Sequence, residues 1–352
     1  LTLTRNDKPY KIGIIKLPTF YADFAAMQAG DPNYRSTTRD VARLLDELKA
    51  EKIDGLVVDL RNNGGGSLTE ANTLIGLFIE TGPTVQVQNA NKEVELMGDS
   101  DNSIAYDGPL VVMTNRLSAS AAEIFAGAIQ DYGRGLIVGS TTFGKGTVQS
   151  LRPLNHGELK LTEAKFYRIS GASTQHKGVE ADINFPNVFE GSDIGESALE
   201  NALPWDTIPP ARYLPYSGFS RQLPILKTKS QQRQANDPDF KYLAAQIELA
   251  ESLKKETVIS LNEAKRKKEE AELDAKRLAI ENTRRAAKGQ EPLKTWREVE
   301  SANDEDKEDE LADPSKKEKP EDEAFVKEAA EILLDAFVTQ SPEETVAKRN
   351  TK

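Results

Sequence analysis

Two side chains in this sequence have the type and setting for acyl chemistry. Ser120 stands where a small-residue loop turns into a helix, and Lys145 stands between two glycines in a later loop. The stretch from Asn115 to Gln149 reads as loop, helix, strand and second loop. Ala121, Ile124, Phe125, Ala128, Ile129 and Tyr132 recur at helical spacing, and Gly133 and Gly135 stop the helix. Leu136-Ile137-Val138 then has the short apolar run of a buried strand. A serine at a helix N-terminus lies beside backbone N–H groups that lack helical acceptors and can hold an oxyanion next to the hydroxyl. The plainer alternative is that Ser120-Ala121-Ala122-Glu123 is a capping box, in which the hydroxyl only satisfies those donors.

A serine hydroxyl attacks only when a base takes its proton. With two histidines and no cysteine, the chain offers few means of activating a nucleophile. Lysine serves as base only when neutral, so its pKa must fall from about 10.4 toward roughly 7–8, which burial achieves. Gly144 and Gly146 let the backbone fold tightly and carry the amine inward, whereas the alternative is a solvated loop lysine. A Ser/His/Asp triad through His156 or His176 is disfavoured, because both lie in polar loops without a clear partner aspartate. No His or Cys pattern has metal-ligand spacing, so neither metal nor cofactor is expected.

The segment resembles the carboxy-terminal processing peptidases, most closely their tail-specific branch, which are serine endopeptidases that use a Ser/Lys pair. Ser118 to Glu123 matches the family's small-residue nucleophile segment, and Phe143 to Gln149 matches its F-G-K-G-T-V-Q segment. Lys145 follows Ser120 at the family's spacing. The resemblance implies that Ser120 is the nucleophile, Lys145 the general base and Gln149 the residue that orients the lysine. Asp59 to Gly66 matches a second hallmark, D-L-R-x-N-x-G-G. That match implies an oxyanion hole made by the N–H groups of Gly66 and Ala121, with Gly65 competing for the first place. Glu123 and Asp131 also have family counterparts, and structural roles near the site are expected for both. Asp131 lies too far along the helix to touch Ser120.

The fold implied is an α/β, crotonase/ClpP-like protease core of stacked βα units, with oxyanion donors at strand ends. The substrates implied are proteins or peptides with apolar, unstructured C-termini, delivered in the tail-specific branch by a lipoprotein adaptor, and the location implied is the periplasm. The family carries a PDZ domain upstream of strands equivalent to the first ones here, so the chain reads as the C-terminal portion of a longer protein.

The elements that must position these residues follow from the pattern. Residues 10–17 form a core strand ended by Pro18, and a Gly/Asp/Asn/Pro-rich loop or lid runs to about Arg35, carrying Phe20, Tyr21 and Phe24. Thr37 or Thr38 opens a helix with the stripe Val41, Leu44, Leu45 and Leu48, which leads into the apolar strand from Ile53 to Leu60. Strand, helix and buried strand in that order predict a parallel βαβ sheet. Ser67-Leu68-Thr69-Glu70 is a capping box for the helix of Leu74, Ile75, Phe78 and Ile79. The triglycine before it lets backbone approach a ligand closely, or is simply a tight turn; dinucleotide and P-loop spacings are absent. Val85, Val87, Val94 and Leu96 alternate as in a hairpin, and Pro109 to Met113 is a buried strand feeding the nucleophile loop. Leu159 to Ile169 is a strand, and the loop Gly171 to Gln175 follows; these close the site or offer an edge to an extended peptide.

A chain of 352 residues predicts two domains: a Ser/Lys protease core over residues 1–206 and a helical C-terminal domain over residues 207–352. In the second, Asp237-Pro238 opens a helix with Phe240, Leu243, Ile247 and Ala250, and Ser260 to Glu263 caps a charged helix reaching about Lys288. Residues 301–323 read as a charged linker before a last helix through Phe325, Ala329, Leu333 and Ala336. The net charge of −11 disfavours nucleic acid as a partner, and no apolar run is long enough to cross a bilayer, so any membrane contact is peripheral. Two other readings stay open: a non-catalytic protein-binding module on the same fold, and a crotonase-type acyl-thioester enzyme.

Overall fold

The computed structural model describes residues 1–187, 189, 194–216, 219, 221–299, 301 and 320–338. The first elements in chain order are β1 (Thr2–Arg5), β2 (Lys8–Lys16), α1 (Phe24–Gln28), α2 (Thr37–Ala50), β3 (Gly55–Asp59) and α3 (Leu68–Gly76). Next come β4 (Gly82–Asn89), β5 (Val94–Asp99), β6 (Leu110–Thr114), α4 (Ala121–Asp131), β7 (Leu136–Gly139), β8 (Thr147–Pro153), β9 (Glu158–Tyr167) and β10 (Ile183–Asn184). A short 3₁₀ turn, Glu196–Ala198, precedes α5 (Leu223–Asn236), α6 (Pro238–Lys254), α7 (Glu263–Ala287) and α8 (Pro320–Val338).

The apolar runs become the middle of a six-stranded sheet in the order β1-β2-β3-β6-β7-β10. β1 is antiparallel to β2, and every other pair is parallel. β3, β6 and β7 are buried along their whole length, as expected of strands covered on both faces. At their C-terminal ends Asp59 lies beside Met113 and Thr114 beside Gly139, so the loops that follow them emerge at one edge. The nucleophile loop and the triglycine turn are two of those loops. This is the α/β class with stacked βα units that the sequence predicts, followed by a helical region. A second, antiparallel sheet has the order β5-β4-β9-β8, which leaves β8 as an edge strand.

Capping fixes where the core helices begin. Ser36 accepts the Arg39 N–H at the start of α2, and Ser67 accepts the Glu70 N–H at the start of α3. Glu70 does not complete the expected box. Its Oε2 instead takes the Ser36 hydroxyl, the Thr38 hydroxyl and the Thr38 N–H, each at 2.8 Å, tying α3 to α2. The Ser67 N–H goes to the Phe20 carbonyl (2.8 Å). Phe20 is buried, with its ring 6.4 Å from that of Phe125, while Phe24, on α1 within the expected loop, is exposed. Phe78 packs edge-on against Phe125 at 5.6 Å. One aromatic cluster thus underlies both the triglycine turn and α4.

The chain divides elsewhere than at the expected boundary of residue 206. One compact unit comprises Leu1–Phe185, Phe189–Lys227 and the last helix from Ala329; the other comprises Pro186–Val188 and Thr228–Glu328. The reason is aromatic packing beyond Asp206. Tyr213 and Tyr216 pack edge-on against Tyr132 at the end of α4, at 5.3 and 6.3 Å, and the Ala211 and Tyr216 N–H groups bond to the carbonyls of Ile169 and Tyr132. From Ala329 on, α8 buries Ala329, Ala330, Leu333 and Ala336, and a Cβ on Gly55 would fall 2.5 Å from Leu333 Cδ2. In the second unit α6 is capped by Asp237, and α7 by Asn262 two residues after the expected Ser260. Phe240 and Phe325 meet there at 5.2 Å. Residues 302–319 of the expected linker lie outside the described residues.

Candidate active site

Ser120 is not an ordinary helix cap. An N-cap residue normally has extended backbone, but Ser120 has φ 58° and ψ −115°, a conformation that costs on the order of 1–3 kcal/mol in a non-glycine residue. Its N–H donates to Glu123 Oε2 (2.8 Å), and the Glu123 N–H donates to the Ser120 carbonyl (2.8 Å). Ala122 N–H is used by Ala119 O, and Ile124 N–H by Ser120 O. The Ala121 N–H, on a fully buried residue, has no acceptor among the described residues. A buried backbone donor without a partner is rare, and here it lies directly after the serine.

The triglycine turn lies against this point. A Cβ on Gly65 would fall 2.8 Å from Ala119 O and Ser120 Cβ and 3.1 Å from Ala121 N, so only glycine fits. Gly65 also has φ +103°, which favours glycine independently. Its own N–H is taken by Asn63 Oδ1 (2.9 Å). Gly66 is exposed, and its N–H has no acceptor among the described residues. Of the two glycines weighed from the sequence, Gly66 therefore has the free donor and Gly65 supplies the close approach.

Three buried side chains lock the two turns together. The Asn63 side-chain amide donates to Leu17 O (2.8 Å), and the Asn63 backbone carbonyl takes the Ala119 N–H (2.9 Å). Ser118 donates to Leu60 O (2.8 Å) and accepts the Asn115 N–H (2.9 Å). Asp59 accepts Arg61 at 2.6 and 2.9 Å in a pair with almost no exposure, which holds the strand end from which the turn departs.

The Lys145 loop is brought to the same place by Glu123. Glu123 Oε1 accepts the Thr142 hydroxyl (2.6 Å) and the Gly144 N–H (2.7 Å), and Oε2 accepts the Lys145 N–H (2.8 Å) as well as that of Ser120. Two backbone nitrogens bonded to one oxygen are no further apart than the sum of those two bonds. From the other side, Gln175 Oε1 accepts the Gly146 N–H (2.8 Å) and the His176 N–H donates to Gly144 O (2.8 Å). A Cβ on Gly144 or Gly146 would fall 2.8 Å from backbone atoms of His176 or Gln175, which is why both neighbours of the lysine are glycine.

Burial holds the Lys145 amine below the ordinary lysine value of 10.5; Lys160 pushes the same way, and Glu196 and Glu123 oppose them. No ion pair or side-chain hydrogen bond of Lys145 exists among the described residues. The direction is the one a general base requires. Burial also pushes the fully enclosed Glu123 carboxyl up to about 7, while its four donors favour the ionised form.

The remaining predicted residues fall apart from this cluster in different ways. Gln149 lines the same cavity of about 580 Å³ as Lys145, with Phe143, Glu196, Leu199 and Leu203 among its walls. Its amide, however, donates to Thr162 Oγ1 (3.3 Å), and no hydrogen bond joins it to Lys145. The cause is a register shift between Val148 and Gln149, which makes Gln149 face Thr162 and leaves it exposed. Asp131 is about 16 Å along α4 from Ser120. It binds Arg168 at 2.5 and 3.1 Å and the Ser170 hydroxyl at 3.0 Å, so it anchors the end of β9. His156 is exposed in the β8–β9 turn, and the His176 ring nitrogen Nε2 is buried with no partner among the described residues; neither is hydrogen-bonded to Ser120.

Sequence reasoning gave no role to Asn63, Ser118, Thr142, Gln175 or Glu196. Asn63 and Ser118 sit inside motifs whose local signal lies in the glycines and in Ser120. Thr142, Gln175 and Glu196 act across long sequence separations that no local pattern reveals.

Residues 11–185 match peptidase family S41, and residues 189–337 match the C-terminal domain of tail specific protease. The chain is 43% identical over 295 residues to the tail-specific protease of Haemophilus influenzae, covering 80% of this chain and 41% of that protein. It is 33% identical over 222 residues to the carboxy-terminal-processing protease of Bartonella bacilliformis, covering 56% and 51% respectively. Among solved structures it is similar to the photosystem II D1 C-terminal processing protease, at 32% identity over 49% of this chain and 42% of that chain with a TM-score of 0.43. The chain thus spans about half the length, or less, of these relatives.

Proposed function

This chain belongs to peptidase family S41 and carries the C-terminal domain of tail-specific proteases, and from that premise we propose that it is a serine endopeptidase region working through Ser120 and Lys145. The observation that carries the reading is the single buried carboxylate oxygen, Glu123 Oε2, which accepts the backbone N–H of both residues. Nothing in a merely structural helix start calls for a buried anion shared with a distant Gly-Lys-Gly loop.

In this reading neutral Lys145 takes the proton from Ser120 Oγ as the oxygen attacks a peptide carbonyl. The Ala121 and Gly66 N–H groups hold the resulting oxyanion, each donor contributing about 10²–10³ in rate. Lys145 returns the proton to the leaving amine, and water then hydrolyses the acyl-enzyme with Lys145 again as base. The free edge of β8, whose first residues line the cavity beside Lys145, is where an extended peptide adds as a strand. Substrates with apolar, unstructured C-termini, a lipoprotein adaptor and a periplasmic location belong to the same proposal. No helix among the described residues is long and apolar enough to cross a membrane.

The test is cleavage of an unstructured protein with an apolar C-terminus by the parent chain, Ser120→Ala and Lys145→Ala. A small serine-directed phosphonate is used in parallel, since its attachment to Ser120 does not depend on substrate delivery. Loss of both cleavage and labelling in each variant, with folding unchanged, is expected. Labelling that survives Lys145→Ala undiminished would overturn the Ser/Lys reading.

A further inference from the structure

Glu196 is a carboxylate that is only 7% exposed, yet it belongs to none of the motifs around Ser120 and Lys145. Its placement is fixed with unusual care. The Glu196 N–H donates to Phe143 O (3.0 Å), two residues before the lysine. Arg116 holds the preceding residues, with Nε on Ile194 O (2.7 Å) and Nη1 on Thr142 O (2.6 Å). Glu196 Oε1 accepts from Gln175 Nε2 (3.0 Å), and the other end of that amide, Oε1, accepts the Gly146 N–H (2.8 Å). One chain of contacts therefore runs from the carboxylate through Gln175 to the residue after Lys145. Glu196 and Lys145 line the same cavity, and no hydrogen bond among the described residues uses Glu196 Oε2.

We propose that Glu196 is a positioning residue for Lys145: through Gln175 it fixes the loop that carries the amine, and its carboxylate supplies the counter-charge the amine needs once it has taken the serine proton. The inference rests on the Ser/Lys reading for its catalytic meaning, but its physical content is a relation between two side chains. A half-buried ammonium formed during the acyl step is costly without a nearby anion. The charged and titratable groups around the amine are few. Glu123 on α4 spends both oxygens on four donors, Lys160 on β9 repels, Glu200 is exposed on the cavity wall, and His176 meets the loop through its backbone. Among the described residues, Glu196 is the buried anion beside the amine whose second oxygen takes part in no hydrogen bond.

Glu196→Gln keeps the acceptor for Gln175 and removes only the charge. The pH dependence of Lys145 acylation by a small anhydride, read residue by residue by mass spectrometry, reports the proton affinity of the amine whether or not the chain cleaves peptides. With the counter-charge gone, the inflection moves to lower pH in Glu196→Gln. In Glu200→Gln, which alters an exposed carboxylate on the same wall, it moves less. If the chain is a peptidase, the acid limb of kcat/KM moves to lower pH together with that inflection, and the plateau falls. An inflection that stays where the parent has it, or that moves as far in Glu200→Gln, overturns the proposal. A moved inflection in a chain that cleaves nothing and takes up no phosphonate upholds the Glu196 relation and sinks the peptidase reading instead.

Discussion

The two ends of α4 each carry a buried acid, and the two acids are used in opposite ways. At the first turn Glu123 faces inward and accepts four hydrogen bonds, three from backbone N–H groups and one from Thr142. At the last turn Asp131 holds an ion pair with Arg168 and the hydroxyl of Ser170. Glu123 forms no ion pair among the described residues, so its burial is tolerated because every lone pair is directed at a donor, and those donors belong to the two segments that must meet. Asp131 is neutralised by charge and holds a strand end that nothing reactive approaches. A buried anion satisfied by backbone is a device for setting loop geometry; a buried anion satisfied by arginine is a device for joining elements.

Removing each acid sharpens that contrast. Glu123→Ala strands four donors, each costing about 1–3 kcal/mol when buried and unsatisfied, so a stability loss of at least about 3 kcal/mol in urea unfolding is expected. Peptide cleavage should fall by about 10²-fold or more, because Ser120 and Lys145 are no longer held to one point. A variant that keeps both stability and rate would break the comparison.

Gly65→Ala attacks the same end of α4 from the opposing turn. The added Cβ meets Ala119 O and Ser120 Cβ at 2.8 Å in a backbone with φ +103°, and a backbone oxygen and a Cβ cannot swing away by a side-chain rotation. A loss in kcat/KM of about 10²-fold is expected, with the phosphonate label at Ser120 reduced in parallel.

The pH profile separates the acids without mutation. Lys145 must be neutral to act, and its value lies below 10.5, so kcat/KM falls as pH drops through the folded value. Burial pushes Glu123 up to about 7, and a proton taken up there faces three backbone N–H donors that cannot accept it. Below that point a second loss adds to the first, up to about tenfold per pH unit for each group. A flat profile down to the ordinary glutamate value of 4.5 would contradict both assignments.

The smallest effect belongs to the other end of the helix. Asp131→Asn removes the charge paired with Arg168 but keeps an acceptor for Ser170. A cost of about 1–2 kcal/mol in unfolding is expected, with kcat/KM per folded molecule changed by no more than about threefold. A large rate loss at unchanged stability would mean that Asp131 reaches the chemistry through a path the static contacts do not contain.

Much of this was legible in the residues themselves. The apolar runs at Leu56-Val57-Val58, Leu110 to Met113 and Leu136 to Val138 fix three central strands, because only strands covered on both faces carry unbroken apolar sequence. The glycines around Lys145 announced a tight loop, and the tertiary contacts of Gly144 and Gly146 give the reason. The Ser67 cap and the Asp237-Pro238 start of α6 lie where their side chains place them. Other features were not legible. The register shift that turns Gln149 toward Thr162 depends on which strand pairs with β8, and the packing of Tyr213 and Tyr216 on Tyr132 moves the core's limit well past Asp206. Glu70 keeps a capping-box sequence yet bonds to α2, since the Ser67 N–H is taken by the Phe20 carbonyl and Ser36 and Thr38 present donors to the carboxylate.

By itself the sequence determined the central strands and the helices α2, α3, α4, α6 and α7, the order of the βα units, and the two loops on which a nucleophile and a base can sit, because these follow from periodicity, turn residues and caps that act over a few residues. Only the tertiary structure decided that Ser120 takes a strained backbone instead of an ordinary cap, that Gly66 and not Gly65 keeps a free N–H, and that Glu123, Gln175 and Glu196 govern Lys145. Those are decisions about which buried polar group meets which donor, and they are settled by residues brought together from distant parts of the chain.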